Sequence, residues 1–281
     1  MERPAMTDRW RTVAGATLRH LEALLLPRAC LGCERPIAGA REAMVCETCW
    51  TRLAWLPHPR CQRCGHPGGH AGSGAECRWC PLLPPYVRAV RSCCWVPGGT
   101  AERLLYAFKY EGWHRLGHDL AGRMARLDWP EDVRRERAAF VPVPLSAERR
   151  RTRGFNQSAV LAHALAQALA EAHGPAGAPA RPDSVRLPVW EDVLERTTAT
   201  ATQTRLTPEQ RLSNVAGAFR ATTGAPSKLR GAHVVLVDDV VTTAATLNEC
   251  AATLWDAGAR IISYVTFGRA RAAGDAPLPR G

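Results

Sequence analysis

Long apolar runs are missing from this sequence of 281 residues. No stretch approaches the roughly 20 residues that a membrane-crossing helix needs. The first apolar cluster, Leu24-Leu25-Leu26, is too short for the core of a secretory signal and follows Arg19, His20 and Glu22. Cysteine is nearly absent from the last two thirds of the chain, where Cys250 stands alone, and ten of the eleven cysteines fall between Cys30 and Cys94. Acidic residues are outnumbered, which leaves a formal charge of +11. The absences are read as those of a soluble protein of the reducing cytoplasm with no membrane span, where clustered cysteines hold metal rather than form disulfides. Hydrophobic residues make up 46% of the chain, enough to exclude a disordered or collagen-like polymer. The length fits about two domains.

Residues 1–27 are assigned an N-terminal helix, with Trp10, Val13, Thr17, Leu21 and Leu24 along one face of 8–26. Residues 28–85 are short of helical period and rich in Pro, Gly and Cys. From Tyr86 strands and helices alternate, and residues 86–270 read as one α/β domain, a mostly parallel sheet covered by helices on both faces. The expected elements begin with a strand from Val87 to Val96, a helix capped by Thr100, and a second helix carrying Trp113, Leu116, Leu120, Met124 and Leu127. A basic stretch, Arg134 to Arg137, leads into a strand at 138–143, an Arg-rich loop and a helix at 156–173. Residues 174–182 read as a surface excursion and 196–214 as a long mobile loop. A strand at 233–237, a loop, a helix with Leu247, Cys250, Ala251 and Leu254 on one face, and a strand at 261–267 complete the domain. Residues 271–281 are expected to be a frayed tail.

Four C-x-x-C pairs occur: Cys30/Cys33, Cys46/Cys49, Cys61/Cys64 and Cys77/Cys80. They form two copies of C-x2-C-x12-C-x2-C, an internal repeat as well as a motif. Each knuckle aims two thiolates at one metal, and two knuckles complete a tetrahedral site with no open position, so residues 28–85 read as a module of two structural zinc sites. Sequential pairing of the knuckles is the preferred arrangement; a cross-braced one is the alternative. His58, His66 and His70 are read as surface or turn residues. Each four-thiolate zinc site is negative overall, which lowers the net charge to about +7 and still favours anionic partners. The few aromatic residues there, chiefly Trp50, Trp55 and Trp79, are read as packing residues rather than base-stacking ones.

The second strong pattern is His233-Val234-Val235-Leu236-Val237 running into Asp238-Asp239-Val240-Val241-Thr242-Thr243-Ala244-Ala245-Thr246 and then into an amphipathic helix. A buried parallel strand delivers two carboxylates to the carboxyl edge of the sheet, where ligands of open α/β folds bind. The turn that follows offers three threonine hydroxyls and backbone N–H groups at a helix start, which together make an anion site. Adjacent carboxylates repel one another, and a divalent cation or sugar hydroxyls between them relieve that repulsion. The combination suits a ligand with hydroxyls, a divalent cation and a phosphate.

The Asp238–Thr246 segment resembles the 5-phosphoribosyl 1-diphosphate (PRPP) signature of type I phosphoribosyltransferases. The wider pattern resembles the competence-associated ComF family: the double C-x-x-C module, Phe108-Lys109-Tyr110 with Gly112, Val141-Pro142-Val143-Pro144-Leu145, and Arg153-Gly154-Phe155-Asn156-Gln157. Thr202-Gln203, Arg211, Asn214-Val215 and Ala218-Phe219 also match, and the likeness spans roughly residues 28–268. It implies a sheet of the type I phosphoribosyltransferase kind. It implies that Asp238 and Asp239 hold the ribose hydroxyls and assist Mg²⁺, and that Thr242, Thr243, Ala244, Ala245 and Thr246 wrap the 5-phosphate. Residues 144–157 would be the diphosphate loop, with Arg149, Arg150, Arg151 and above all Arg153 suited to that charge, together with Gln157. Asn156 contacts the ligand or caps its helix; Lys109 reaches the site or stays on the surface. Residues 196–214 would be a closing hood. Ala244 departs from the family, which usually has glycine there; glycine permits an unusual backbone angle or close approach of the phosphate, so alanine would weaken that pocket by on the order of 1 kcal/mol.

Three functions follow from the resemblance. One is transfer of a phosphoribosyl group to an acceptor nitrogen with release of pyrophosphate. Another is single-stranded DNA binding in DNA uptake, alongside DNA-uptake or helicase proteins. The third is a docking protein that senses PRPP without chemistry. The preferred reading is a PRPP-binding, phosphoribosyltransferase-like protein of DNA uptake and natural transformation.

Overall fold

The computed structural model describes residues 28–37, 43–67, 77, 79–96, 98–171, 187–197, 217–271 and 275. The helix expected at 8–26, the excursion at 174–182, His70, and Thr202, Gln203, Arg211 and Asn214 of the hood lie outside them. The chain divides into two compact units, 1–52 and 53–281. The first contains α1 (Glu47–Thr51). The second runs from Leu53, so Cys61, Cys64, Cys77 and Cys80 belong to the same unit as the α/β domain, whereas the cysteine spacing had grouped 28–85 together.

The larger unit is built on four parallel strands: β1 (Val87–Val96), β2 (Arg137–Pro142), β5 (His233–Val241) and β6 (Ile261–Ala270), in the order β1-β6-β5-β2. Between β2 and β5 in sequence, β3 (Leu194–Arg196) and β4 (Phe219–Ala221) form an antiparallel pair. The helices are α2 (Gly99–Tyr110), α3 (Leu116–Met124), α4 (Glu131–Glu136), α5 (Ala147–Arg153), α6 (Gln157–Glu171), α7 (Ala225–Leu229) and α8 (Ala245–Asp256). Val234 and Leu236 of β5 share one apolar cluster with Leu247, Cys250, Ala251 and Leu254 of α8. Val235 and Val237 alternate to the opposite face, and α6 packs on β5 and β2 while α3 packs on β1 and β6. Strands buried on both faces read as continuous apolar runs, which is why Val87–Val96 and His233–Val237 were legible as strands.

Several elements differ from the sequence expectation. Thr100 does not cap α2: the cap position is Gly98, whose N–H donates to the Glu102 carboxylate at 3.1 Å. Trp113 precedes α3 and is exposed. Residues 134–136 of the basic stretch end α4 and Arg137 opens β2; the first turn of α4 carries Glu131 and Asp132 as a helix N-terminus favours. The Arg-rich segment is helical rather than a loop, because the Ser146 hydroxyl caps α5 by accepting the Arg149 N–H. β5 runs four residues past Val237, since its ladder with β6 continues through Asp238–Thr266 to Val241–Arg269. Past β6, the Arg271 N–H donates to the Val96 carbonyl at 3.2 Å and the Asp275 carboxylate meets His66 Nε2 at 2.9 Å, which anchors those two residues of the expected tail.

His233 opens β5 with its ring buried; Nε2 lies 2.9 Å from the Ser263 hydroxyl, and Nδ1 has no hydrogen-bond partner among the described residues. Burial depresses its pKa from 6.5 to about 4. Between these values the unfolded chain holds the extra proton, so stability is present above about pH 6.5 and is lost as pH falls towards 4. His233→Gln keeps a polar partner for Ser263 without titrating. It is expected to remove about 2–3 kcal/mol of the acid-dependent loss in that window, read from urea denaturation at a series of pH values.

Candidate functional site

Beyond the carboxyl ends of β2 and β5 lies a cavity of about 600 Å³. Asp238 and Asp239 of β5 line it. Asp238 Oδ1 accepts the Ser158 hydroxyl of α6 at 2.9 Å and the Asp239 N–H at 2.9 Å. Asp239 Oδ2 meets Lys109 Nζ, from the last turn of α2, at 2.5 Å. Burial pushes the Asp238 carboxyl up, against the pull of Lys109, Ser158, Arg196 and Arg153. Burial also pulls the Lys109 ammonium down to about 8, with Arg153 and Arg149 adding repulsion and Asp238 opposing it. These groups are held in place by the fold and only partly compensated, the usual condition of a pocket that takes a charged ligand.

The turn after β5 forms another side of the cavity. Ala244 is the cap residue of α8, in the left-handed region at φ 61° and ψ 4°. This is the backbone angle that glycine adopts without penalty, so the departure from the family's glycine falls on a strained position. Thr242, Ala244, Ala245 and Thr246 line the cavity. Thr243 does not; its hydroxyl is turned to the Ala245 N–H at 3.5 Å. Ala244, Ala245, Thr246 and Leu247 bring the start of α8 to the cavity wall, the end of a helix that favours negative charge.

The opposite wall comes from α5 and α6. Arg149 and Arg153, one turn apart on α5, line the cavity, as does Arg196 at the end of β3, while Arg150 lines a separate surface cleft. Arg153 donates to the Gln157 side-chain oxygen at 3.2 Å and to the Tyr110 hydroxyl at 3.1 Å, and its guanidinium lies 4.9 Å from the Tyr110 ring centre. Gln157 is 2% exposed, and its Nε2 has no partner among the described residues. A buried donor without an acceptor in the lining of a cavity suits an oxygen-rich ligand there. Asn156 lies outside the cavity and caps α6: Oδ1 accepts the Ser158 N–H at 3.1 Å and Nδ2 donates to the Val143 carbonyl at 3.1 Å. Tyr106 and Tyr110 are both on the cavity rim and 55% exposed; Tyr110 entered the sequence reading only as part of the Phe108-Lys109-Tyr110 match and Tyr106 not at all, although their spacing of four places them on one face of α2. Ser158 carried no signal at all; only the fold brings it to a carboxylate 80 residues away.

The eight paired cysteines form two groups, Cys30/Cys33/Cys46/Cys49 and Cys61/Cys64/Cys77/Cys80, with the sulfurs of each within 4.8 Å of one another. The grouping is sequential rather than cross-braced. Cys33 and Cys46 are 3.8 Å apart, and the pairs Cys61/Cys80 and Cys64/Cys77 are each 3.5 Å apart. Zinc–sulfur bonds of about 2.3 Å in a tetrahedron separate sulfurs by about 3.8 Å, so four thiolates in this arrangement fit a closed structural zinc site. N–H groups of Gly32 and Cys46 point at Cys30 Sγ, 3.3 and 3.2 Å away. Burial disfavours the thiolate of Cys30, but these donors outweigh it and bring the thiol down to about 7.

The second group is tied into the α/β domain. Gly65 sits at φ +68°, and a side chain there would meet the Val90 carbonyl of β1 at 2.2 Å. Arg63 donates to the carbonyls of Val87, Cys80, Leu83 and Pro84, and Arg269 of β6 to that of Cys64. Asn248 of α8 donates to the Leu82 carbonyl at 2.9 Å and accepts the Tyr264 hydroxyl at 3.0 Å. His66 is buried rather than on the surface, its ring 4.9 Å from Trp79 and 5.5 Å from Trp95. Trp50 is buried in the smaller unit and Trp79 packs on the apolar cluster of the larger, whereas Trp55 is exposed.

Residues 21–81 match the double zinc ribbon domain, and residues 156–277 match the phosphoribosyl transferase domain. The chain is 30% identical over 248 residues to the DNA utilization protein YhgH of Salmonella typhi, which covers 85% of this chain and 96% of that protein. The YhgH protein of Escherichia coli strain K12 matches with the same identity and coverage. Competence protein F of Haemophilus influenzae is 31% identical over 173 residues, 62% of this chain and 60% of its own length. No helix among the described residues is long and apolar enough to cross a membrane.

Three outcomes follow from this geometry. Ala244→Gly relieves the left-handed alanine at the expense of a more flexible unfolded chain, so a net stabilisation of up to about 1 kcal/mol is expected in urea denaturation. Cys61→Ser is expected to lower the zinc content by about one ion per chain and to lower the main melting transition seen by calorimetry, because its ligand group shares the core of the larger unit. Cys30→Ser is expected to cost the other zinc ion and leave that transition in place, both read by elemental analysis and calorimetry.

Proposed function

Because the chain belongs to the ComF family, proteins with a double zinc ribbon and a phosphoribosyltransferase domain whose relatives carry DNA-utilization and competence names, we propose that it binds PRPP in the cavity beyond β5 and acts in DNA uptake. One observation carries the reading: an acid pair on β5, the start of α8 and three arginines from α5 and β3 converge on a single cavity, beside a buried Gln157 amide nitrogen without a partner among the described residues. In this reading Asp238 and Asp239 hold the ribose hydroxyls, and the turn from Thr242 to Thr246 holds the 5-phosphate. Arg149, Arg153 and Gln157 receive the diphosphate. Mg²⁺ bound with the diphosphate supplies charge neutralisation for the leaving group. The eight cysteines hold two zinc ions, which have no open coordination position and serve structure alone.

The reaction such a site supports is departure of pyrophosphate from C1 of the ribose, with attack there by an acceptor nitrogen. The ring develops positive charge as the bond breaks, and the carboxylates of β5 lie on the side of the sugar hydroxyls. The guanidinium groups of α5 stabilise the departing negative charge without having to reorganise, since Arg153 is already fixed by Gln157 and Tyr110. A second reading, single-stranded DNA binding, rests on a specific feature: Tyr106 and Tyr110 are exposed beside Arg153, a surface on which bases stack. Salt-dependent DNA binding that weakens on Tyr110→Ala would support it.

Asp238→Asn retains an acceptor for Ser158 and for the Asp239 N–H, so the fold is expected to survive it. Asp238→Asn and Asp239→Asn are each expected to abolish Mg²⁺-dependent PRPP binding in calorimetry while the melting temperature changes little. Unchanged affinity in both variants would refute the assignment. Pyrophosphate release, measured with and without candidate acceptor bases, tests turnover.

A further inference from the structure

Asp239 is engaged in the ligand-free protein, and its partner is unusual for this chain. Of 37 basic residues only two are lysines, Lys109 and Lys228. Lys228 pairs with Asp192 at the surface, 2.5 Å away. Lys109 reaches from α2 across the cavity wall to Asp239 Oδ2 at 2.5 Å, with side chains only 21% and 12% exposed. An ammonium is a compact point charge, closer in shape to a metal ion than the wide, planar guanidinium used nearly everywhere else in this sequence. At this distance it fills the space beside Asp239 Oδ2 that a divalent cation bound to that oxygen would occupy. A divalent cation placed there beside Lys109 would meet strong repulsion in a half-buried site. Arg149 and Arg153 line the same cavity, so the ammonium does not have to move far to join them around an incoming diphosphate.

We infer that Lys109 is the resident cation of the acid pair: it excludes free divalent metal from the ligand-free pocket and passes to the diphosphate when PRPP binds. The inference deepens the PRPP reading and rests on it for the second step, while the first step stands without it. Metal then enters with PRPP and not ahead of it.

The test uses zinc-loaded full-length protein, Lys109→Met, Lys109→Gln, and Lys109→Met combined with Asp239→Asn. Mn²⁺ binding without PRPP is followed by the loss of the free-ion electron paramagnetic resonance signal. The single variants are expected to gain about one Mn²⁺ site per chain and a melting temperature raised by Mn²⁺, which the natural protein and the double variant lack. Calorimetry with PRPP follows, in chelator and in excess Mg²⁺. Lys109→Met is expected to lose about tenfold or more in affinity in chelator and distinctly less in Mg²⁺. Mn²⁺ binding by the natural protein as tight as that of Lys109→Met, and abolished by Asp239→Asn, would overturn the resident cation. An equal loss of PRPP affinity in both buffers would overturn the exchange and leave Lys109 as a plain phosphate contact. An intact Mn²⁺ pattern with no PRPP binding in any buffer would overturn the ligand reading and the transfer, but not the resident cation.

Discussion

Two carboxylates carried on a central, doubly paired strand impose the main constraint on this structure. β5 is hydrogen-bonded to β2 on one side and β6 on the other, and its ladder with β6 does not stop before the acid pair but runs through it. Asp238 and Asp239 are therefore held rigidly in a partly dry cavity, where unpaired charge is costly. The surroundings answer that cost from three directions: a hydroxyl from α6, an ammonium from α2 and guanidinium groups from α5 and the end of β3. α6 and α2 are positioned by packing on the parallel sheet and β3 by its contacts with β4 and α8, so the charge balance of the cavity depends on much of the α/β unit.

The second cysteine group belongs to the same physical system. Its 3-10 turn at Cys80–Leu82 gives a carbonyl to Asn248, on the helix that starts at the turn after β5. Cys61, Cys64 and Leu83 lie in one apolar cluster with Leu247, Cys250 and Leu254 of that helix. A closed four-thiolate site has no free position for chemistry, yet through these contacts it braces the base of α8. The first group, built on Cys30, sits in the smaller compact unit and shares no part of that core cluster. Two copies of one spacing thus serve different local structures.

The left-handed alanine at the start of α8 shows how a departure from a family pattern is read. Sequence likeness marked Ala244 as the place where glycine is usual, and the backbone there does adopt the angle that favours glycine. The turn has kept its shape and carries the strain.

The sequence by itself determined the parallel α/β class, the two four-cysteine repeats, the strand that carries the acid pair and the turn beyond it. Each rests on a local regularity: apolar runs of strand length, fixed cysteine spacing, or a motif at a strand–helix junction. Local signals that were present but overridden account for some misreadings, as with the Arg-rich segment, where Ser146 followed by Glu148 already spelled a helix start. The tertiary structure alone decided the partners that lie far apart in the chain. Ser158 on Asp238, Lys109 on Asp239, and the union of the second cysteine group with the larger unit all depend on which faces the packed elements turn to one another. Such pairings leave no periodic trace, because the distance that creates them is set by the closure of the sheet and its covering helices and not by separation along the chain.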